Sequence, residues 1–152
     1  MAIANSGYYG LTLAKQFAKT VALDMGAITT YVALVSDGYT PAFDTHDFHA
    51  DLTNEIANGD GYTTGGAALA ATPAWTVGAP AAGQIAFDSD NPAWATSTIT
   101  DAMAAVLYIT TGASATDELL MLSDFGTAVS TANGTLTVTV DGDGWVYFDY
   151  VP

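Results

Sequence analysis

The hydrophobic positions change period along the chain. From Tyr9 to Leu23, Leu13, Phe17 and Val21 recur at i, i+4 and i+8, with Leu11, Ala14 and Ala18 beside them. That spacing predicts a helix. Lys15 and Lys19, four apart, would share one of its faces. Asp24-Met25-Gly26 ends it, and the β-branched, apolar run from Ala27 to Val35 predicts a buried strand closed by a Ser36-Asp37-Gly38 turn. Thr45 is placed to cap a short helix carrying His46, His49 and Asp51, with Phe48, Leu52 and Ile56 on its apolar side.

Beyond residue 62 the pattern reads as strands. Trp75, Val77, Ile85 and Phe87 alternate with small or polar residues around a Gly/Pro/Ala turn, and Trp94 to Thr100 is a threonine-rich half-buried strand. Met103, Val106, Leu107 and Ile109 form a core run, and Leu119 to Leu122 is a short apolar piece. Asn133 to Val140 alternates strictly, and Asp141-Gly142-Asp143-Gly144 is expected to turn it into a hairpin with Trp145 to Tyr150. The expected fold class is therefore mainly β with an N-terminal α-helix, as a β-sandwich or barrel-like antiparallel sheet. No repeat or linker divides the chain, so residues 1–152 are expected to form one domain, with residues 1–7 as an N-terminal arm.

Length and composition agree with a packed domain. At 152 residues and 50% hydrophobic, the chain can bury about 70% of its unfolded surface. The mean hydropathy is +0.28. Its strongest apolar run, Met103 to Ile109, falls short of the roughly 20 residues a membrane-spanning helix needs. No basic segment precedes an apolar stretch at the start, so no secretory signal is expected.

Charge removes whole classes of function. The net charge is −14, with two lysines, no arginine and no cysteine. Nucleic-acid binding relies on cations that displace phosphate counterions, and anionic membranes make the same demand. Neither partner is expected. Without cysteine there is no disulfide, thiolate metal site or cysteine nucleophile. With 12% charged residues, most of the surface must be Thr, Ser, Ala, Gly and Asn, which suits packing against protein.

Candidate chemistry is sparse. His46 and His49, with Asp51 or Asp44, have the spacing of a metal pair on a helix, but H-x-x-H alone is a weak signal, and a polar turn contacting its neighbours is the preferred reading. Asp88-Ser89-Asp90-Asn91 and Asp141-Gly142-Asp143-Gly144 offer oxygen ligands for calcium, but neither has a glutamate at position twelve, and Asx turns explain both. No Gly-x-Ser-x-Gly elbow is present. Glu55 and Glu118 are the only glutamates, and no arginine orients an anionic substrate. The glycine-rich stretch 58–66 lacks a phosphate-loop lysine, and Asp124-Phe125-Gly126 has no kinase context. Trp75, Trp94, Trp145, Tyr147 and Tyr150 read as core or interface anchors, with stacking on sugar rings as the other reading. No catalytic residue, metal or cofactor is expected, and the chain is not expected to be an enzyme.

Three blocks carry a likeness. They are Gly38-Tyr39-Thr40-Pro41 with His46-Asp47-Phe48, Leu52-Thr53-Asn54-Glu55-Ile56, and Gly61-Tyr62-Thr63-Thr64-Gly65-Gly66. Phe87-Asp88-Ser89-Asp90, Trp94, Thr98-Ile99-Thr100, Ala104 to Tyr108, Asp124-Phe125-Gly126 and Asn133-Gly134-Thr135 extend it over roughly residues 30–140. Together they resemble a widespread family of tailed-bacteriophage virion structural proteins. Where that family often carries an arginine after the Thr-Ile-Thr block, this chain has Asp101-Ala102-Met103. The resemblance implies a decoration or cement protein on the capsid exterior, assembled in the host cytoplasm, or a tail or fibre-associated protein involved in host attachment. The expected partners are the major capsid protein and copies of itself, as a homo-oligomer. Lys15, Lys19, Tyr8, Tyr9 and Trp94 are the candidate partner-binding residues.

Overall fold

Alternation in two adjacent strands organises the molecule. A computed structural model describes residues 6–19, 29–69 and 74–150, and the backbone alone for Ala74, Trp75 and Val77. The described elements are β1 (Gly7–Tyr8), α1 (Gly10–Phe17), β2 (Thr30–Ser36), a 3-10 turn (His49–Asp51), β3 (Ala67–Ala68), β4 (Ala74–Val77) and β5 (Gln84–Asp88). They continue with β6 (Ala93–Ser97), β7 (Ala102–Ile109), β8 (Glu118–Val129), β9 (Gly134–Thr137) and β10 (Val146–Asp149). The described residues are mainly β, with antiparallel sheets and one α-helix.

The main sheet has the order β1-β8-β7-β2-β3. Every residue of β7 is buried, which requires cover on both faces. Val32 and Leu34 of β2 with Ala105, Leu107 and Ile109 of β7 point to one face, among Phe87, Trp94, Ile99, Leu136 and Val138 from the smaller sheets. Ala33 and Val35 with Ala104, Val106 and Tyr108 point to the other, against Tyr9, Tyr39, Phe43 and Leu52. One strand pair thus builds two cores, because successive side chains leave a strand on opposite sides.

The sheet is open, not a closed barrel. Its β2 edge is covered piecemeal. Ala67 and Ala68 pair with Val32 and Tyr31, the Tyr62 hydroxyl takes the Leu34 N–H at 3.0 Å, and residues 54–56 bond Ser36 N–H and Leu34 C=O at 2.9 Å each. Covering an edge in this way blocks pairing with another chain's strand.

The expected terminal hairpin does not form. Strand β9 pairs with β6, and β10 pairs with β5 in a three-stranded β10-β5-β4 sheet. Trp145 decides this: its N–H donates to Phe87 C=O at 2.8 Å, and its indole N–H to the Ser89 hydroxyl at 2.8 Å. The hydrogen bonds of 145–149 are therefore already used by β5. The β6–β9 pair is tied to the main sheet through Thr131, whose backbone N–H bonds Ile99 C=O at 2.8 Å. Its hydroxyl accepts from Ile99 N–H at 3.0 Å and donates to Ser97 C=O at 2.8 Å. Thr131→Ala is expected to lower stability by about 1–2 kcal/mol in urea titration, because a partly buried donor and acceptor lose their partner.

Four more expectations change. The described helix stops at Phe17, Lys19 follows it with φ of 53°, and the remainder of the expected segment lies outside the described residues. The short helix expected after Thr45 is one 3-10 turn, His49–Asp51. Strand β8 runs through Asp124-Phe125-Gly126 with bulges, well beyond Leu122. The expected arm is in part a strand, since Gly7 and Tyr8 pair with Leu122 and Met121.

Candidate partner-binding surface

Helix α1 is only two turns long, too short to persist on propensity alone. Its start is anchored by tertiary contacts, with Gly10 N–H on Phe43 C=O at 2.7 Å and Tyr9 N–H on Leu120 C=O at 2.9 Å. Its outer face completes an open groove of about 410 Å³ lined by Tyr8, Leu13, Gln16, Phe17, Ile85 and Phe148. Five of these six are apolar or aromatic. Phe17 is 82% exposed and Phe148 40%, and Tyr147 and Tyr150 on and beside β10 are exposed as well. The periodicity expected Phe17 on the buried side of a longer helix; it stands at the open rim instead.

The five sequence candidates separate. Tyr8 lines the groove, its ring 6.3 Å from that of Phe148. Lys19 is exposed just beyond α1. Tyr9 is fully buried and Trp94 nearly so, hence both are core residues that present no side chain to a partner. Lys15 does not point outward alone. Its Nζ donates to Asp47 Oδ2 at 2.5 Å and to Glu118 Oε1 and Oε2 at 3.0 and 3.1 Å, and lies 4.4 Å from the Phe48 ring centroid. Burial, joined by the repulsion of Asp47, raises the Glu118 carboxyl above its ordinary value and outweighs the ammonium that lowers it. For Lys15, burial acts downward, but hydrogen bonds to the two carboxylates prevail and raise it.

The histidines part company. His46 Nδ1 lies 2.8 Å from the Tyr39 hydroxyl, itself 2.8 Å from that of Tyr9. Burial pushes the Tyr39 hydroxyl up to about 12. His49 Nε2 lies 3.4 Å from Glu55 Oε2, and its ring sits 4.5 Å from that of Tyr108. Among the described residues no three His, Asp or Glu side chains converge on a common metal position.

Glu55 is the second buried polar centre. Its Oε1 accepts from the Tyr62 hydroxyl at 2.8 Å and Gly65 N–H at 2.6 Å. Tyr108 donates to Gly65 C=O at 2.7 Å. Burial alone would raise the carboxyl; His49, Gly65 and Tyr62 together hold it below its ordinary value. Tyr62 ties this cluster to Leu34 N–H of β2, so the cluster serves the fold. Reading the chain linearly offered no route to the groove, because its lining comes from four elements in three distant parts of the sequence. No protein-family model, curated protein or solved structure matches this chain.

Proposed function

We propose that this chain is a bacteriophage virion structural protein, a decoration or cement protein that binds the outer capsid surface and ties neighbouring major capsid subunits together. The observation that carries the reading is the aromatic surface around Tyr8, Phe17, Ile85 and Phe148. A chain with 14 net negative charges has little reason to expose Phe17 unless another surface covers it. The acidic charge keeps free copies apart and turns them away from the genome and from anionic membranes. Packing of the main sheet against the smaller ones supports a β-sandwich, a rigid module for such a role. Individual contacts of about 1,600 Å² or less would reinforce a shell through repetition over many copies.

The test is binding to particles. Phe17→Asp combined with Phe148→Asp is expected to weaken association with capsids that lack this chain at least hundredfold, since central aromatic anchors contribute about 2 kcal/mol or more each. The melting temperature should stay within a few degrees, because Phe17 is mostly exposed. Undiminished capsid binding by the folded double variant overturns the reading. Labelling confined to the tail replaces it with the tail or fibre assignment, and turnover of host-envelope glycan by the purified chain replaces it with an enzyme.

A further inference from the structure

Lys15, Asp47 and Glu118 bring one amine and two carboxyls together from helix α1, the loop before the 3-10 turn, and the first residue of β8. We propose that this is a self-modification site, at which the folded chain joins Lys15 Nζ to Asp47 Cγ in an intramolecular isopeptide bond, with Glu118 as the catalytic proton carrier.

Four observations carry it. The Lys15–Asp47 separation of 2.5 Å is tighter than the roughly 2.7–2.9 Å of ordinary ammonium–carboxylate bonds. Glu118 reaches the same nitrogen with both oxygens, where a proton must be taken up and returned. The other Asp47 oxygen, Oδ1, is buried without a hydrogen-bond partner. A buried oxygen without a partner is costly, and an amide has one oxygen fewer to satisfy.

The fourth is rigidity. Leu119 N–H bonds Asp47 C=O at 2.9 Å, and His49 N–H bonds Asp117 C=O at 2.8 Å, so the loop and the start of β8 are clamped on both sides of the reacting pair. Asp51 Oδ2 holds the N–H groups of Asp47 and Phe48 at 2.9 Å each, and the Phe48 ring lies over the amine. Groups fixed at contact distance react with the advantage of an intramolecular step.

The chemistry needs no co-reactant. The Lys15 ammonium passes one proton to Asp47 Oδ2, leaving an amine and a carboxylic acid. The amine lone pair attacks Cγ and the C–N bond forms. Glu118 takes the surplus proton from nitrogen and delivers it to the departing hydroxyl, the C–O bond breaks, and water leaves. Ammonium and carboxylate become amide and water, with no change of oxidation state. The raised Glu118 carboxyl holds a proton more readily than an ordinary glutamate, which suits it to carry the travelling one.

Mass spectrometry of the purified full-length chain, denatured after prolonged incubation in its folded state, reads the outcome. We expect an intact mass one water below that of the sequence, and a proteolytic fragment linking the segments around Lys15 and Asp47. Asp47→Ala and Glu118→Gln should restore the full mass. Asp47→Asn, in which ammonia would leave instead, should arrive at the same cross-linked mass as the native chain. A native chain at its full sequence mass overturns the proposal whether or not the variants fold. Loss of water mapped to a succinimide at an Asp-Gly pair, such as Asp60-Gly61, overturns it equally. The result is independent of capsid binding, since the site lies outside the groove lining.

Discussion

Gly66→Ala is expected to cost more than about 4 kcal/mol and to leave little cooperatively folded protein at 37 °C, as measured by thermal and urea denaturation. A Cβ at this position would stand 1.8 Å from Val32 C=O oxygen and 2.7 Å from Ala33 Cα, both backbone of β2. Neither atom can yield without displacing the strand that carries both cores. The residue's φ of 78° adds strain for any side chain. Gly65→Ala is the informative contrast, because its Cβ would meet only the Tyr108 hydroxyl, at 3.1 Å, the far end of a side chain. A Gly66→Ala chain with native stability would mean that the 63–67 bend does not lie on β2.

Glu55→Ala is expected to destabilise by about 3–5 kcal/mol, the cost of breaking a buried pair and stranding its partners. Two groups lose their acceptor together, the Tyr62 hydroxyl and Gly65 N–H, and the His49 ring loses the carboxylate 3.4 Å from its Nε2. Tyr62 is then free to release Leu34 N–H, and the patchwork along β2 comes apart. The pH dependence has a definite sign. Because the folded-state pKa of Glu55 lies below its ordinary value of 4.5, the contribution is fully present above that value. It disappears as pH falls through the lower, folded-state value. Urea midpoints measured from pH 7 downward should therefore show an acid loss that Glu55→Gln largely removes. Equal acid sensitivity in wild type and Glu55→Gln would show that this carboxyl is not the group responsible.

How much of this was legible beforehand follows from the range of each interaction. The core run from Met103 to Ile109 and the apolar run ending at Val35 identified the two central strands, because burial on both faces demands apolar residues at every position. The Gly65-Gly66 bend was visible as a break, but not its cause, which is a backbone 33 residues upstream of Gly66. The terminal hairpin was misread for a related reason. Strict alternation in 133–140 and the aromatic run 145–150 specify strands without specifying partners, and Trp145 docks on Phe87 and Ser89 instead of folding back.

The candidate surfaces were less legible still. Tyr9 and Trp94 look like anchors in a list of aromatics, yet the first lies beneath α1 among Tyr39 and Phe43, and the second is packed against Tyr62. Phe17 looks like core by spacing and stands at a rim. Lys15 and Glu118 are 103 residues apart, and no pattern of period two or 3.6 reports on that distance.

Taken by itself, the chain determined its net charge, its lack of cysteine and arginine, its β-rich class and the strands at its centre, since these depend on residue type and short-range alternation. The tertiary structure alone decided which strand edges meet, which aromatics are left facing solvent, and which amine lies against which carboxyls. Those are contacts between distant segments, and they exist only once the main sheet has closed its two faces.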